Sequence, residues 1–381
     1  MRVQDLMDVM EQIAPSRYAE SWDNTGLVLG DPEVPVTGPI VLAIDLSAQV
    51  LEEAVAKRAS AMVVYHPPIW TPLKRMTTLD ARQRLLLTCA ARNIALYSPH
   101  TALDAAPGGV TDWLCEALSG SDTPGRIAGD CRALLPHTGL EPSQELKIVT
   151  FVPPDHADAV RSALATAGAG MIGQYTQCSF NLQGSGTFFG SDESSPVVGE
   201  RGRLERIVEI RMEMVCSRAA LPIALETLRR FHPYEEPAID VYELIARPER
   251  SGGAGRRITL DRPATLRELG QRMKDRIGCA MVKLAAVADP DAEVRMVGVC
   301  PGAGASLAEP AARESCEAFV TGEMKHHEVL ASVNRGVSIL LGGHTATERG
   351  YLPRLRDRLA AALPQARIEV SEQDRSPLIP V

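Results

Sequence analysis

The residues best suited to chemistry lie near the C-terminal end of the chain, in the stretch 342–348. It follows the apolar segment 337–341 and precedes the segment 351–363, whose leucines recur at helical spacing. His344 and Glu348 are four residues apart at the start of this predicted helix, so both side chains can face the same way. An imidazole and a carboxylate together suit a divalent metal, although a helix cap and a surface glutamate fit the same pattern.

Two distant stretches also show a buried-type strand that ends in potential metal ligands. His66 follows the strand predicted at 61–65, and His100 and Asp104 follow the strand predicted at 94–97. Ligands of open α/β sheets gather outside the carboxyl ends of the strands. We therefore expect all five side chains to lie at one edge of a sheet. Such a cluster is too rich in ligands for a solvated surface, and it predicts a metal site.

Five segments match a known family in a fixed order along the chain. They are 22–30 (Trp-Asp-Asn-Thr-Gly-Leu-Val-Leu-Gly), 65–68 (Tyr-His-Pro-Pro), 100–112, 321–327 (Thr-Gly-Glu-Met-Lys-His-His) and 343–348. The chain resembles the Nif-three-like proteins, also called the dinuclear metal centre family and catalogued as GTP cyclohydrolase I type 2 homologues. The resemblance covers nearly the whole sequence.

The resemblance implies a site for two divalent metal ions. Its ligands would be His66, Asp104, His344 and Glu348, with Glu348 bridging the two ions. Mixed imidazole and carboxylate sites accept Zn, Mn, Fe or Co. Two such ions that share a water lower its pKa, which favours metal-dependent hydrolysis of a small molecule. The competing interpretation is a non-enzymatic metal-binding, carrier or regulatory protein.

Several further residues are candidates for supporting roles at this site. His100, His327 or Glu323 could move a proton during hydrolysis. Bacterial members of the family usually have two adjacent histidines where this chain has Tyr65 and His66, and the Tyr-His form resembles the eukaryotic-type branch. Tyr65 would either bind metal as a phenolate or donate a hydrogen bond beside it. We favour the hydrogen bond, because neighbours on a regular strand face opposite sides.

The elements that position these residues alternate between strand and helix. Residues 1–128 and 250–381 predict one α/β domain, split in sequence, with a mostly parallel sheet and helices on both faces. Between them, 146–246 has the order βαββαβ of a ferredoxin-like α+β insert. Long members of the family carry such an insert, similar to small trimeric proteins, and the family forms ring-like hexamers. The resemblance therefore implies a homo-oligomer, a trimer or a hexamer.

Two other motifs carry weaker signals. The motif His-Pro-Tyr-Glu-Glu-Pro at 232–237 fits a rigid turn better than a third metal site, because no partner ligand is visible nearby. The glycine-rich stretch 252–257 lacks the ending of a P-loop and is predicted to be a linker back to the first domain.

The composition excludes several classes of function. The 381 residues carry a net charge of −8, so a broad nucleic-acid face is not expected. No apolar run has the length of a membrane span, and residues 1–5 do not resemble the start of a signal peptide. The eight cysteines form no Cys-x-x-Cys pair. We therefore expect reduced thiols in a cytoplasmic protein.

Overall fold

Short strands and helices alternate along the chain. The computed structural model describes residues 1–378. Within these residues the strands are β1 Gly26–Leu29, β2 Ile40–Ala43, β3 Ala61–Val64, β4 Ala95–Ser98, β5 Gly129–Gly139, β6 Leu146–Val152, β7 Phe180–Phe189, β8 Leu204–Cys216, β9 Ile239–Glu243, β10 Arg247–Thr265, β11 Lys283–Ala285, β12 Glu293–Cys300, β13 Ala318–Thr321, β14 Ser338–Leu341 and β15 Ile368–Val370. The α-helices are α1 Val3–Ile13, α2 Ala48–Ala56, α3 Ala81–Ala91, α4 His100–Ala105, α5 Val110–Leu118, α6 Ala157–Thr166, α7 Leu221–Phe231, α8 Leu266–Ile277, α9 Ala308–Arg313, α10 His326–Asn334, α11 Ala346–Arg349 and α12 Leu352–Ala362.

The chain divides into two compact units. Unit 1 combines residues 1–137 with the residues from Glu249 onwards, and unit 2 is Thr138–Pro248. Unit 1 is thus split in sequence and holds mixed α/β structure. The narrower boundaries expected from the sequence, 1–128 with 250–381 and 146–246, stay a prediction.

The first sheet of unit 1 has the strand order β1-β4-β3-β2-β15. Strands β4, β3, β2 and β15 run parallel, and β1 is an antiparallel edge. Every residue of β2 and β3 is buried and apolar. Continuous apolar runs of this kind are typical of parallel strands that are covered on both faces.

The second sheet of the described chain has the order β11-β14-β13-β12-β10-β5. Its centre, β12-β13-β14, is parallel, while β10 and β11 pair antiparallel to it. The sequence predicted a mostly parallel sheet, and unit 1 contains two sheets with parallel centres. The segment before unit 2 and the segment after it each supply the parallel centre of one sheet.

Helices cover both faces of the first sheet. Alternate strand residues point to opposite faces, so β2 and β3 each contribute to two cores. Leu42 and Val63 belong to a large core that also contains residues of α1, α5, α8 and α12 and of the second sheet. Val41 and Met62 face the other way and pack with α2 and α3. Burial of each such side chain contributes roughly 1.5–3 kcal/mol, so this packing holds the strand ends in place.

The two segments of unit 1 are joined by hydrogen bonds that involve Arg256 and β15. Arg256 is almost fully buried, and its guanidinium donates to Asp112 and to the carbonyls of Ala105 and Ala106. Strand β15, from the end of the chain, adds to the edge of β2. Loss of the buried guanidinium would remove hydrogen bonds between the two segments in the interior, which is costly.

Local signals define the ends of the helices. Thr265 caps α8 through the backbone N–H of Glu268, and the Glu268 side chain accepts from the backbone N–H of Thr265. The same helix ends at Gly278, which has a φ of +65°. Among the described residues, no helix combines the length and the apolar composition that a membrane span requires.

Unit 2 contains one four-stranded antiparallel sheet and two helices. Its chain order is β6-α6-β7-β8-α7-β9, and its strand order in space is β7-β8-β6-β9. Residues of α6 and α7, such as Val160 and Leu228, pack with Ile148 and Met212 of the sheet in a separate core. Unit 2 therefore has a hydrophobic core of its own.

Candidate metal centre

Parallel strands from both sheets of unit 1 end at one cleft. In the first sheet, Asp45 follows β2, His66 follows β3 and His100 follows β4; in the second, Cys300 ends β12 and His344 follows β14. All five residues line the same cavity, which has a volume of about 590 Å³. The carboxyl ends of parallel strands thus deliver polar groups to one place.

Three potential metal ligands converge in this cleft. One ligand atom from each of His66, His344 and Glu348 lies within 4.8 Å of the others. The Glu348 carboxylate lies between the two rings, with Oε2 3.5 Å from His66 Nε2 and Oε1 3.4 Å from His344 Nε2. Two imidazoles and a carboxylate are a common ligand set for Zn, Fe or Mn.

The buried position of Glu348 fits a metal ion. Its side chain is 3% exposed, and Oε2 has no hydrogen-bond partner among the described residues. A buried carboxylate oxygen without a partner is unfavourable unless a cation binds it. Gly302 leaves room beside it: with a φ of +61°, a Cβ at this position would lie 2.5 Å from Glu348 Oε1.

Each of the two histidines is oriented by a second carboxylate. Asp45 Oδ1 lies 2.9 Å from His66 Nδ1, and Glu323 Oε1 lies 3.0 Å from His344 Nδ1. With the proton at Nδ1, the lone pair of Nε2 points toward Glu348. This carboxylate–histidine arrangement is the usual outer support of a metal-binding imidazole.

The charge around His66 also favours a cation. Burial lowers the pKa of His66, but Asp45 and Glu348 outweigh that effect and raise the pKa to about 10. Burial by itself would raise the pKa of Asp45. The hydrogen bond and the charge interaction with His66 outweigh burial, so the pKa of Asp45 is lowered overall. The carboxylates therefore stabilise a positive charge where a metal would bind, and a metal must displace the His66 proton.

His100 forms a third pair with a carboxylate. Its Nδ1 lies 2.8 Å from Asp23 Oδ2, and Asp23 also accepts hydrogen bonds from the backbone N–H and the hydroxyl of Thr101. Burial raises the pKa of Asp23, but its contacts with His100 and Thr101 lower it overall. His100 has a φ of +24°, which is rare for a residue with a side chain and is held here by these bonds.

The buried Tyr65 pairs with Asp104, which lines the cleft. The Tyr65 hydroxyl donates to Asp104 Oδ1. Burial raises the pKa of both groups well above their ordinary values, and Glu348 raises both further. In this arrangement Tyr65 is a neutral donor to Asp104.

Comparison with known proteins identifies the family. The family model described as Duf34/NIF3 (NGG1p interacting factor 3) matches residues 1–377. A Bacillus subtilis protein named GTP cyclohydrolase 1 type 2 homolog is 33% identical over 377 residues, covering 98% of this chain and 97% of its own. The chain belongs to the Duf34/NIF3 family.

Solved structures of similar proteins share the fold. A Bacillus cereus protein related to NIF3 has a TM-score of 0.68 at 30% identity, and the match covers 100% of this chain and 99% of that one. A Staphylococcus aureus protein has a TM-score of 0.80 at 22% identity with the same coverage. The split α/β architecture is therefore that of Duf34/NIF3 proteins.

The structure distributes the predicted site residues unequally. His66, His344 and Glu348 come together, whereas Asp104 lines the cleft but lies outside this group of three. His327 is exposed near the start of α10 and is absent from the described lining of the cleft. Its position gives no support to a role in proton transfer.

Some functional positions of this Duf34/NIF3 chain were not assigned from the sequence. The sequence motifs give Asp45 and Gly302 no role at the metal site, although Asp45 lies beside Nδ1 of His66 and Gly302 makes room for Glu348. Glu323, a candidate for a supporting role, contacts Nδ1 of His344. The available signal was the position of each residue at the end of a parallel strand.

The histidine of the 232–237 motif forms its hydrogen bonds within unit 2. His232 Nδ1 accepts from the backbone N–H of Tyr234, and Nε2 lies 3.1 Å from the carbonyl of Phe151. Both ring nitrogens are therefore used within the unit, as the turn interpretation expects.

Proposed function

We propose that this chain is a metal-dependent hydrolase with a dinuclear centre of divalent ions. The observation that carries the proposal is the buried Glu348 carboxylate, which has an unpartnered oxygen and lies between Nε2 of His66 and Nε2 of His344. His66, His344 and Glu348 would hold one ion. Asp104 would hold the second, with Glu348 shared between them, and Zn, Mn, Fe and Co all suit these donors.

The residues of the cleft divide the remaining tasks. Divalent ions held by these residues would supply Lewis-acid polarisation of a substrate oxygen and would make water a stronger nucleophile. His100 would accept and return the proton, because Asp23 fixes its Nδ1 and leaves Nε2 free. Asp45 and Glu323 would orient the two histidine ligands, and Tyr65 would orient Asp104.

Of the activity named for the relatives, we extend only the class of reaction, hydrolysis, to this chain. The Bacillus subtilis relative is named a GTP cyclohydrolase 1 type 2 homolog. Cyclohydrolase chemistry is hydrolytic, so the name and the proposed centre agree on the class of reaction. The site supports hydrolysis of a small molecule and does not by itself select GTP.

The remaining parts of the proposal concern assembly and location. We infer that 146–246 is a ferredoxin-like insert, since its four antiparallel strands and two helices follow the βαββαβ order. We propose a homo-oligomer, a trimer or a hexamer, in the cytoplasm. The eight free cysteines suit that reducing compartment.

One experiment distinguishes a metal-dependent hydrolase from a metal carrier or regulatory protein. Protein purified without chelator is analysed for metal by mass spectrometry, and the same sample is screened with hydrolase substrates. Glu348→Gln should lose both metal and turnover, whereas His100→Asn should keep the metal and lose at least ~10²-fold in rate. Full metal content without turnover in the unmodified protein would instead identify a carrier or regulatory protein.

A further inference from the structure

The rim of the metal cleft carries two exposed tryptophans that stack on each other. Trp22 and Trp70 are 61% and 43% exposed, and both line the cleft. Their rings are nearly parallel, at 16°, with centroids 6.4 Å apart. Trp70 also meets the His100 ring edge-on at 5.1 Å. Large aromatic side chains exposed beside a metal-binding group offer flat apolar surface to a ligand.

The tryptophan pair is held in place by a specific hydrogen bond. Asn24 Nδ2 donates to the carbonyl of Ile69 at 2.7 Å, which ties the loop that carries Trp22 to the loop that carries Trp70. The two loops are therefore joined next to the rings, which reduces the number of arrangements that the rings can adopt before a ligand arrives. A preorganised surface binds with a smaller loss of conformational entropy.

The charge of the cleft restricts what can bind on this surface. Four carboxylates line the cleft, from Glu20, Asp45, Asp104 and Glu348, and its described lining contains no lysine or arginine. Sites for nucleoside polyphosphates normally hold the phosphates with lysine, arginine and backbone amides as well as a metal. The cavity of about 590 Å³ has the size of a small-molecule site.

We propose that the substrate carries a planar heteroaromatic ring that stacks on Trp22 and Trp70, and that it lacks a polyphosphate chain. Trp22 and Trp70 are specificity-determining residues, and Asn24 is a positioning residue. A base or nucleoside fits this description, and a nucleoside triphosphate does not. This inference deepens the proposed function, and it rests on the cleft being the working site.

Ligand binding to the metal-free full chain tests this inference separately from hydrolysis. Guanosine, GTP and ribose are titrated while tryptophan fluorescence is followed. Guanosine should quench the fluorescence and bind at least ~10-fold more tightly than GTP, because the carboxylates repel the phosphates, and ribose should not quench. Trp22→Leu and Trp70→Leu should each weaken guanosine binding on the order of 10-fold. Leu79→Ala, an exposed apolar change elsewhere, is the matched control and should have no effect.

The role of Asn24 has a spectroscopic test. A stacked indole pair gives a paired positive and negative band in far-ultraviolet circular dichroism. Both tryptophan variants and Asn24→Asp should lose this band, and Asn24→Asp should also weaken guanosine binding, while Leu79→Ala keeps both.

Three results would overturn the inference: quenching by ribose equal to that by guanosine, GTP binding more tightly than guanosine, or tryptophan variants that change only the oligomer mass in sedimentation. Because no metal is present in these titrations, their outcome does not depend on hydrolysis. Failure of the ring-binding inference can therefore be distinguished from failure of the proposed hydrolase function.

Discussion

Asp45 Oδ1 lies 2.9 Å from Nδ1 of His66 and directs the other ring nitrogen toward Glu348. Replacement of Asp45 by Ala should leave the fold intact and weaken metal binding 10–100-fold, roughly the usual effect of losing the carboxylate behind a metal-binding histidine. Competition with a chromogenic chelator measures this change. Asp122→Ala, an exposed acid of unit 1, should bind metal as the unmodified chain does, and equal affinities in both variants would remove Asp45 from the site.

Replacement of Glu348 by Gln tests two effects of the carboxylate separately: its effect on the stability of the metal-free chain and its contribution to metal binding. In chelator-treated protein the change should cost unit 1 little, because relief of the buried carboxylate offsets the loss of its attraction to His66. With metal at about 100 times its Kd, the unmodified chain should gain roughly 2.7 kcal/mol and the variant nothing. Tryptophan fluorescence during urea unfolding reports this difference. A variant that keeps two equivalents of metal would show that Glu348 is not the shared ligand.

Gly302 should be essential for metal binding for a steric reason. Gly302→Ala places a Cβ 2.5 Å from Glu348 Oε1, whereas Gly278, with nearly the same φ, has nothing within 4 Å of such a Cβ. Both alanine variants should lose about 1–2 kcal/mol of unfolding free energy from the left-handed backbone. Only Gly302→Ala should also lose metal, as measured by titration calorimetry. Equal metal content in the two variants would contradict the steric argument.

Tyr65→Phe should leave the metal content unchanged and alter the hydrolytic rate. The change removes the hydrogen-bond donor to the partly buried Asp104, so the free energy of unfolding should fall by about 1–3 kcal/mol. Tyr97→Phe is the matched control, since Tyr97 is buried on the neighbouring strand and its hydroxyl bonds to no described residue. Loss of one metal equivalent in Tyr65→Phe would show instead that the phenolate is a ligand. Tyr65→His should tighten the second metal.

Unit 2 should lose stability as the pH falls below about 6.5. Burial lowers the pKa of His232 below its ordinary value of 6.5, and its Nδ1 must stay unprotonated to accept from Tyr234. A lowered pKa in the folded state stabilises the fold above the unfolded pKa, and this contribution disappears as the ring becomes protonated. Hydrogen exchange of unit 2, corrected for intrinsic rates, should be faster at pH 5.5 than at pH 7.5. His232→Gln should show less of this difference, and a His232 pKa above 6.5 by NMR would refute the prediction.

The fold class and the cluster of three potential metal ligands could be predicted from the sequence because their signals are local. His66 comes directly after an apolar strand, and His344 and Glu348 have helical spacing after another. The orienting partners could not be predicted in the same way. Asp45 reaches His66 through the pairing of β2 with β3, and Glu323 reaches His344 through the pairing of β13 with β14. Such contacts depend on the register between strands, which composition and spacing do not reveal.

The number of sheets in unit 1 also depends on long-range pairing. The alternation of strands and helices is the same whether the strands join one sheet or two. Burial of Arg256 against Asp112 shows how the segments on either side of unit 2 are matched, and no local pattern marks that contact.

The edge of β2 that faces away from β3 pairs with β15, which consists of residues 368–370. During synthesis, the first sheet therefore has an open edge until residues 368–370 have left the ribosome. His66 and Asp45 are made early, whereas the other candidate ligands, His344 and Glu348, follow only after the whole of unit 2. A chain that stops before residue 344 lacks these two candidate ligands and has an unpaired strand edge, so loss of metal retention should mark such interrupted chains.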